Sequence, residues 1–159
     1  MEKRTADHTI GVISDTHGLL REQAVDGLKG VDHIIHAGDI GNPEILDTLR
    51  DIAPLSVVRG NTDYGAWARG LPMTTVAEVG TVSIYVIHDI LRLDLDPAAA
   101  GFVAVVFGHS HRPEMTDKNG VMYLNPGAAG PKRFDLPISI AHIEIDGESI
   151  RATHSKLDV

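Results

Sequence analysis

Apolar and polar positions follow two different rhythms along the chain. In the first part, short apolar runs alternate with segments of helical periodicity. This rhythm predicts strands at 9–14, 33–38 and 56–60 and helices at 19–28 and 43–52. From residue 74 onward apolar and polar residues alternate, which predicts strands at 74–88 (a hairpin around Gly80), 103–108, 121–127, 138–146 and 148–155. Together the two rhythms predict an α/β protein of two packed sheets with helices outside.

The composition is typical of one soluble domain spanning residues 1–159, with its core at about 9–154. Aromatic residues make up only 4% of the chain, so we expect a core of Val, Ile, Leu and Ala. The absence of cysteine excludes disulfides, thiolate metal sites and a cysteine nucleophile. The N-terminus is polar, and no window approaches the roughly 20 apolar residues of a membrane span. We therefore expect a cytoplasmic protein with no membrane partner.

The net charge limits the class of partner. A formal charge of -8 argues against a strong nucleic-acid-binding surface, because such surfaces are usually basic. A small anionic substrate stays compatible with this charge, since bound metal ions can invert the charge of a site.

Side chains that can bind metal follow five of the apolar runs, at the point where each run ends. They are two carboxylates, one carboxamide and four imidazoles: Asp15, His17, Asp39, Asn61, His88, His109 and His111. In open α/β sheets, ligands bind beyond the carboxyl ends of the strands. Oxygen and nitrogen donors of this kind suit Mn²⁺, Fe, Zn²⁺, Ni²⁺ or Co²⁺. Seven ligands are too many for one ion and fit two ions that share a carboxylate.

Each of these residues also has a purely structural interpretation when it is taken alone. Asp15 could cap the following helix, and Asp39 and Asn61 each follow a glycine, as turn residues often do. His88 could be a buried structural histidine, and His36 could support Asp39 or simply belong to its strand. The ordered occurrence of all seven at strand ends is what predicts a metal site, because turn statistics do not explain it.

The motif series resembles that of the calcineurin-like metallophosphoesterases, and the short chain resembles their compact bacterial and archaeal phosphodiesterase branch. The motifs that carry the resemblance are SDTHG (14–18), HAGDIG (36–41), RGNTD (59–63), His88, GHSHRP (108–113) and LNPGA (124–128). The resemblance extends over about residues 9–150. It implies a four-layer α/β/β/α sandwich of two mixed sheets flanked by helices, with two metal ions between the tops of the sheets.

Carried onto this sequence, the resemblance implies a dinuclear metal centre. It assigns Asp15, His17 and His111 to one ion, Asn61, His88 and His109 to the other, and Asp39 to both. We expect Asp39, Asn61 and His109 to be catalytic. Mn²⁺ is the first expectation for both ions, with Ni²⁺, Fe, Zn²⁺ and Co²⁺ as alternatives.

The expected activity is that of a metal-dependent phosphoric diester hydrolase acting on a small phosphate ester. Two divalent ions about 3.5–4 Å apart lower the pKa of a bridging water, and the resulting hydroxide attacks phosphorus. Many family members carry a histidine after the Gly-Asn motif, where it is thought to protonate the leaving group; here Thr62 takes that place. Without that acid, diesters with good leaving groups are expected to react faster than monoesters.

Further expectations concern substrate contacts and assembly. Thr62 and, in the loop after 121–125, Gly127 and Arg133 are candidates for contact with substrate phosphate, although that loop could equally be solvated. A homodimer is compatible with the sequence. The alternatives to a diesterase are a phosphomonoesterase, a noncatalytic protein-interaction scaffold on the same fold, and an aspartyl-phosphate domain with Asp15 as nucleophile.

Overall fold

Over residues 6–159, which the computed structural model describes, the chain forms two five-stranded sheets. Residues 1–5, the start of the polar N-terminal stretch, lie outside the described residues. The first sheet has the order β10-β9-β1-β2-β3, with β1 (His8–Ile13), β2 (His33–His36), β3 (Leu55–Val57), β9 (Ser139–Asp146) and β10 (Ser149–Lys156). The second has the order β4-β5-β6-β8-β7, with β4 (Thr74–Val79), β5 (Val82–Ile87), β6 (Ala104–Val106), β7 (Pro113–Lys118) and β8 (Val121–Pro126).

Both sheets are mixed, and each contains three neighbouring parallel strands. β1, β2 and β3 are parallel neighbours in the first sheet, as are β5, β6 and β8 in the second. The remaining neighbours pair antiparallel. Parallel neighbours bring their carboxyl ends to the same edge of a sheet. The loops that follow these strands therefore lie together at one end of the molecule.

Within the described residues, three α-helices connect the strands: α1 (Glu22–Leu28), α2 (Pro43–Ile52) and α3 (Ala66–Arg69). The predicted helix 43–52 is confirmed, and Asn42 caps it by accepting a hydrogen bond from the Ile45 N–H at 3.2 Å. The predicted start of the first helix at residue 19 is wrong, since α1 begins at Glu22. The preceding residues form a turn in which the Leu19 N–H donates to the Thr16 carbonyl oxygen at 2.9 Å.

The main core lies between the two sheets and consists of aliphatic side chains, as the composition predicts. Its largest fully buried members on the first sheet include Ile10, Ile35 and Ile143, which oppose Ile84 and Leu124 of the second. Burying each such side chain stabilises the fold by roughly 1.5–3 kcal/mol. The core holds the two sheets at a fixed spacing, and so fixes the loops at their shared end.

The outer faces of the two sheets are covered in different ways. α1 and α2 pack against the first sheet through residues such as Leu28, Leu46 and Leu49. The second sheet is covered by a 3-10 turn (Ile90–Arg92) and the loop up to Phe102. The predicted class, two mixed sheets in an α/β sandwich, is confirmed, and its fourth layer contains a 3-10 turn in place of an α-helix.

Strand β7 was absent from the sequence prediction because its sequence, PEMTDK, is polar and all but its first residue are exposed. It forms the edge of the second sheet, where no apolar face is required. A signal for it does exist in the following turn. Asn119 and Gly120 both have positive φ, 53° and 80°, which is typical of the Asn-Gly turn of a two-residue hairpin.

Candidate metal centre

The structure brings all seven predicted ligands together at the shared end of the two sheets. Each follows the carboxyl end of one of the parallel strands, in the loops after β1, β2, β3, β5 and β6. The loops of the two sheets are joined directly, since the His109 N–H of the second donates to Asp15 Oδ2 of the first at 3.1 Å. Ser14 Oγ donates to the same oxygen at 2.7 Å.

One group of donors contains Asp15, His17 and His111. His17 Nε2 lies 3.2 Å from His111 Nε2, and Asp15 Oδ1 lies 3.4 Å from His111 Nε2 and 3.7 Å from His17 Nε2. Ligands about 2.1 Å from a common ion are roughly 3.0–3.4 Å apart in octahedral or tetrahedral geometry. The spacing of this group is therefore close to that of a coordination shell.

A second group contains Asn61, His88 and His109. Asn61 Oδ1 lies 3.0 Å from His88 Nε2 and 3.1 Å from His109 Nδ1. His88 Nδ1 lies 2.7 Å from the Ala37 carbonyl oxygen, to which it can only donate, so the neutral ring presents the lone pair of Nε2. A carbonyl partner of this kind fixes the tautomer that a metal-binding histidine requires.

The Asp39 carboxylate stands between the two groups. Its Oδ2 lies 3.7 Å from His17 Nε2 and 3.2 Å from His88 Nε2. Its Oδ1 accepts a hydrogen bond from the Thr62 N–H at 2.9 Å, which leaves Oδ2 facing both groups. This arrangement is what a bridging carboxylate requires.

Five of the seven residues have a left-handed backbone, which is uncommon for residues other than glycine. Their φ angles are 54° for Asp15, 45° for His17, 56° for Asp39, 73° for His109 and 64° for His111. Such conformations persist only where the surrounding structure imposes them, and they cluster at functional sites. The backbone geometry thus marks the same residues as the side-chain donors do.

Two glycines allow the loops to approach closely. A Cβ at Gly60 would overlap the Oδ1 and backbone nitrogen of Asp39, and one at Gly108 would overlap Ser14 Oγ. These contacts explain why RGNTD and GHSH carry glycine directly before a ligand.

Asp63 holds in place the two loops that carry Asp39 and Asn61, a role that the sequence prediction did not assign. Its buried carboxylate accepts hydrogen bonds from the Gly60 N–H at 2.9 Å, the Ile40 N–H at 2.9 Å and the Gly41 N–H at 3.1 Å. It therefore ties the loop of Asn61 to the loop of Asp39. The signal in the sequence was its place inside RGNTD, three residues after Gly60.

Asn125, in LNPGA, supports the loop that carries both histidines of GHSH. Its Nδ2 donates to the Gly108 carbonyl oxygen at 3.1 Å and to Ser110 Oγ at 3.1 Å. Its Oδ1 accepts from the Gly127 N–H at 2.9 Å. Asn125 is fully buried, and its Nδ2 hydrogen bonds go to the neighbours of His109 and His111. It therefore positions the loop of these two histidines and is not itself a predicted ligand.

His36 is buried beneath the centre and supports it in neutral form. The Gly38 N–H donates to its Nδ1 at 3.1 Å, so Nε2 carries the proton and donates to Thr16 Oγ1, also at 3.1 Å. The Thr16 hydroxyl in turn donates a hydrogen bond to the Ile40 carbonyl oxygen at 2.7 Å. Burial lowers the pKa of His36 to about 4, in agreement with this pattern of donors.

Three of the predicted ligands, Asp15, Asp39 and His88, have shifted pKa values. Burial alone would raise the pKa of Asp15. The contacts with His111 and His17 have a larger effect in the opposite direction, so the pKa of this carboxyl lies well below its ordinary value. Burial likewise raises the pKa of Asp39, and its contacts with His88 and the Thr62 N–H reverse the shift. Burial lowers the pKa of His88, and Asp39 and Asp15 raise it above its ordinary value. Two buried carboxylates thus attract positive charge to this site.

The donors fit divalent metal ions. Asp15 Oδ1, which faces His17 Nε2 and His111 Nε2, is buried without a hydrogen-bond partner, a costly state for a polar atom unless it has a ligand. In each of two triads, Asp15 with His17 and His111, and Asp39 with His88 and His109, the donor atoms lie within 4.8 Å of one another. Oxygen and nitrogen donors without sulfur suit Mn²⁺, Fe and Zn²⁺.

The three residues predicted to contact substrate lie in different surroundings. Thr62 is exposed beside Asn61, and Arg133 is exposed in the loop before β9. Gly127 is buried, and its N–H is occupied by Asn125. A cleft of about 650 Å³ opens beside Asn61, His88 and His109, and none of these three residues lines it.

Comparisons with known proteins agree with this architecture. The sequence pattern of the calcineurin-like phosphoesterase superfamily domain matches residues 9–148. A protein of Methanocaldococcus jannaschii named "Probable metallophosphoesterase" is 38% identical over 140 residues, which are 80% of this chain and 71% of the relative. No helix among the described residues is long and apolar enough to cross a membrane.

Solved structures show the same fold. A conserved protein of Streptococcus pneumoniae described as a "predicted phosphoesterase" gives a TM-score of 0.72 at 26% identity, with 94% of this chain and 89% of that chain covered. Vps29 of Chaetomium thermophilum gives a TM-score of 0.77 at 18% identity, with 98% and 100% covered, which shows a shared fold alone. A match that extends over almost the whole chain confirms the resemblance seen in the motifs, and this protein belongs to the calcineurin-like phosphoesterase superfamily as a metal-dependent phosphoesterase.

Proposed function

We propose that this protein is a phosphodiesterase that hydrolyses small phosphate diesters at a centre of two metal ions. The observation that carries the proposal is the position of Asp39. One carboxylate oxygen, Oδ2, faces His17 Nε2 at 3.7 Å on one side and His88 Nε2 at 3.2 Å on the other. A carboxylate placed between two groups of donors supports a pair of ions in preference to a single one.

Each ion has its own set of ligands in this proposal: Asp15, His17 and His111 for the first, Asn61, His88 and His109 for the second, and Asp39 for both. Mn²⁺ is our first candidate, because the donors are oxygens and imidazole nitrogens in a protein without cysteine. Bound divalent ions supply an acidified water as nucleophile and neutralise the charge of the ester oxygens.

The residues of the chain supply rigidity and orientation. The Thr62 N–H holds Asp39 Oδ1, and the Ala37 carbonyl holds His88 Nδ1, so each ligand presents one defined atom to the centre. Ser14 Oγ and the His109 N–H hold Asp15 Oδ2 in the same way. Such fixed dipoles need no rearrangement during the reaction, which is the basis of electrostatic preorganisation.

Of the three residues that we propose as catalytic, Asp39 lies within the centre and Asn61 and His109 lie at its solvent side. Asn61 and His109 are both exposed and line the cleft, where they can touch the substrate. Asp39 is buried, so its role is to hold the ions and orient the nucleophile.

The preference for diesters rests on Thr62. It is exposed beside Asn61, at the position where a histidine would protonate the leaving group, and a threonine hydroxyl is too weak an acid for that role. Esters whose leaving group departs without protonation are therefore the favoured substrates.

The test is hydrolysis of bis(p-nitrophenyl) phosphate and p-nitrophenyl phosphate after chelation and re-addition of single metals. We expect chelation to abolish diester turnover, Mn²⁺ to restore it, and the monoester to react more slowly under the same conditions. Asp39→Ala should lower kcat/KM for the diester by roughly 100-fold or more, because it removes a ligand of both ions. Asp117→Ala, which removes an exposed carboxylate from the edge strand β7, is the matched control.

Turnover that survives chelation would contradict the proposal, and faster turnover of the monoester would overturn the preference for diesters. The scaffold alternative shares the fold but requires none of these donors, all of which are present. Absence of turnover of both esters with every metal would favour the scaffold.

A further inference from the structure

The cleft beside the second donor group is larger than a phosphate group requires. Its volume of about 650 Å³ lies in the range of sites that bind small organic molecules. It begins at Asn61, His88 and His109 and extends along the second sheet over Tyr85 and Ile87. It therefore has room for one whole arm of an ester whose phosphorus lies at the metal centre.

Arg59 stands in this cleft without a partner. Its backbone N–H donates to the Pro72 carbonyl oxygen at 2.8 Å, which anchors the residue just after β3. Its side chain is half-buried and lines the cleft, yet the guanidinium makes no hydrogen bond or ion pair with any residue in the described part of the chain. Arg21, the other half-buried arginine between residues 6 and 159, donates through Nε to the Gly130 carbonyl oxygen at 3.2 Å.

An unpaired, half-buried guanidinium is unexpected in a chain with 22 acidic and 14 basic residues. Arginines that leave solvent are normally paired, because an uncompensated charge is costly to desolvate. The surplus of carboxylates offers many possible partners, and none of those between residues 6 and 159 forms an ion pair with Arg59. The geometry is that of a cation kept free for a ligand.

The acidic residues of the cleft do not neutralise Arg59. Asp89 Oδ1 accepts from the Leu91 N–H at 3.0 Å and so caps its own 3-10 turn. Its Oδ2 lies 3.9 Å from Nε of Arg92, a side chain that is 79% exposed. Asp94, the remaining acid of the lining, is exposed and makes no ion pair with Arg59.

We propose that one arm of the ester substrate enters this cleft and carries a second anionic group, a carboxylate or a phosphate, that binds Arg59. The inference rests on the proposed diesterase function and deepens it by assigning a class of substrate. The planar guanidinium pairs with either group through two parallel hydrogen bonds. Tyr85 and Ile87 contact the carbon atoms of the arm between the reacting phosphorus and this group.

The experiment compares three p-nitrophenyl phosphate diesters whose second arm is 2-methoxyethyl, 2-carboxyethyl or 2-phosphonooxyethyl. The methoxy arm is neutral and has no hydroxyl that could attack phosphorus. The quantity measured is the ratio of kcat/KM for each anionic arm to kcat/KM for the methoxy arm, with Mn²⁺ present. The wild-type ratio should exceed unity for at least one anionic arm, and the larger of the two ratios identifies the group. Arg59→Met should lower that ratio by roughly 10- to 100-fold, mainly through KM, because a hydrogen-bonded charge pair contributes that much to binding.

Arg59→Lys keeps the charge without the paired hydrogen bonds and should recover part of the ratio. Arg69→Met, which removes an exposed arginine of α3 outside the cleft, is the matched control and should keep the wild-type ratio. A wild-type ratio of unity for both anionic arms would overturn the inference. So would an equal loss for all three esters in Arg59→Met, which would assign Arg59 to support of the Asn61 loop. Absence of turnover of the methoxy-arm ester by the wild type would instead refute the proposed function.

Discussion

At the residue scale, the centre depends on buried polar side chains that are not themselves proposed metal ligands. Asp63 is the clearest case, because its carboxylate accepts hydrogen bonds from the N–H groups of Gly60, Ile40 and Gly41. Asn at this position keeps the shape but brings an N–H₂ group toward those donors. We expect Asp63→Asn to lower the free energy of unfolding by about 1.5–3 kcal/mol, the contribution of hydrogen bonds to a charged group.

Urea denaturation monitored by circular dichroism measures this change. The matched control is Asp47→Asn on α2, which removes the same charge from a side chain that is 78% exposed. An equal and small effect of the two substitutions would show that the Asp63 hydrogen bonds do not hold the loops.

His36 makes stability depend on pH in a defined direction. Its pKa is about 4 in the folded protein and about 6.5 in the unfolded chain. Above pH 6.5 both states are neutral and the stabilisation is complete. Between about pH 6.5 and 4 only the unfolded chain binds the proton, so stability falls as the pH falls, by roughly 3 kcal/mol at most.

His36→Asn removes this titration while its Oδ1 can still accept from the Gly38 N–H. In metal-free protein, prepared with a chelator, the free energy of unfolding should fall less steeply between pH 6.5 and 4.5 for this variant than for the wild type. His142→Asn, on β9 and hydrogen-bonded to the Gly27 carbonyl oxygen, is the control and should keep the wild-type slope. Identical slopes for the wild type and His36→Asn would contradict the neutral, buried histidine.

At the element scale, the loops after the parallel strands pack tightly against one another. Gly60 lies against Asp39, and an added Cβ would displace either the carboxylate or the Asn61 loop. Gly60→Ala should therefore weaken binding of Mn²⁺ by roughly 10-fold or more, as changes in the support of metal ligands do. Isothermal titration calorimetry of Mn²⁺ into metal-free protein measures the affinity.

Gly70→Ala is the control for this substitution. The atom nearest to its new Cβ is the Trp67 carbonyl oxygen at 3.9 Å, and its backbone has an ordinary φ of -79°. Equal affinity of the two variants for Mn²⁺ would show that the close contact at Gly60 does not position Asp39.

The elements that were predictable are those whose signal is local. Helix α2 has a capping Asn42, a Pro43 in its first turn and three buried apolar residues on one face. Strand β7 and helix α3 were not predicted, because β7 is an exposed edge and α3 is only four residues long. The position of a helix start depends on tertiary contacts, which explains why α1 begins three residues later than predicted.

The predicted ligands were visible because each follows an apolar strand, and strand ends converge in folds of this class. The residues that support them were not, because hydrogen bonds such as that from Asn125 to the Gly108 carbonyl join loops distant in sequence. The cleft could not be predicted from the sequence either, since it is formed by β5, the turn after it and the loop before β4, which meet only in the folded chain. Contact of Gly127, Arg133 and Thr62 with substrate stays a prediction.

At the scale of the whole molecule, two sheets packed through an aliphatic core place loops from both sheets around one centre. The net charge of -8 is unfavourable for an anionic substrate unless cations are bound at that centre. We therefore expect binding of an anionic ester to depend on bound metal ions. Its cytoplasmic location, its extent as a single domain and its assembly as a homodimer stay predictions.

We propose that residues between Asp15 and His111, distant from one another in sequence, bind two neighbouring ions through a shared Asp39. A crystal grown with Mn²⁺, with diffraction measured on both sides of the manganese absorption edge, tests it directly. We predict two anomalous peaks about 3.5–4 Å apart, both within coordination distance of the Asp39 carboxylate. A single peak, or no peak in contact with these side chains, would contradict the claim.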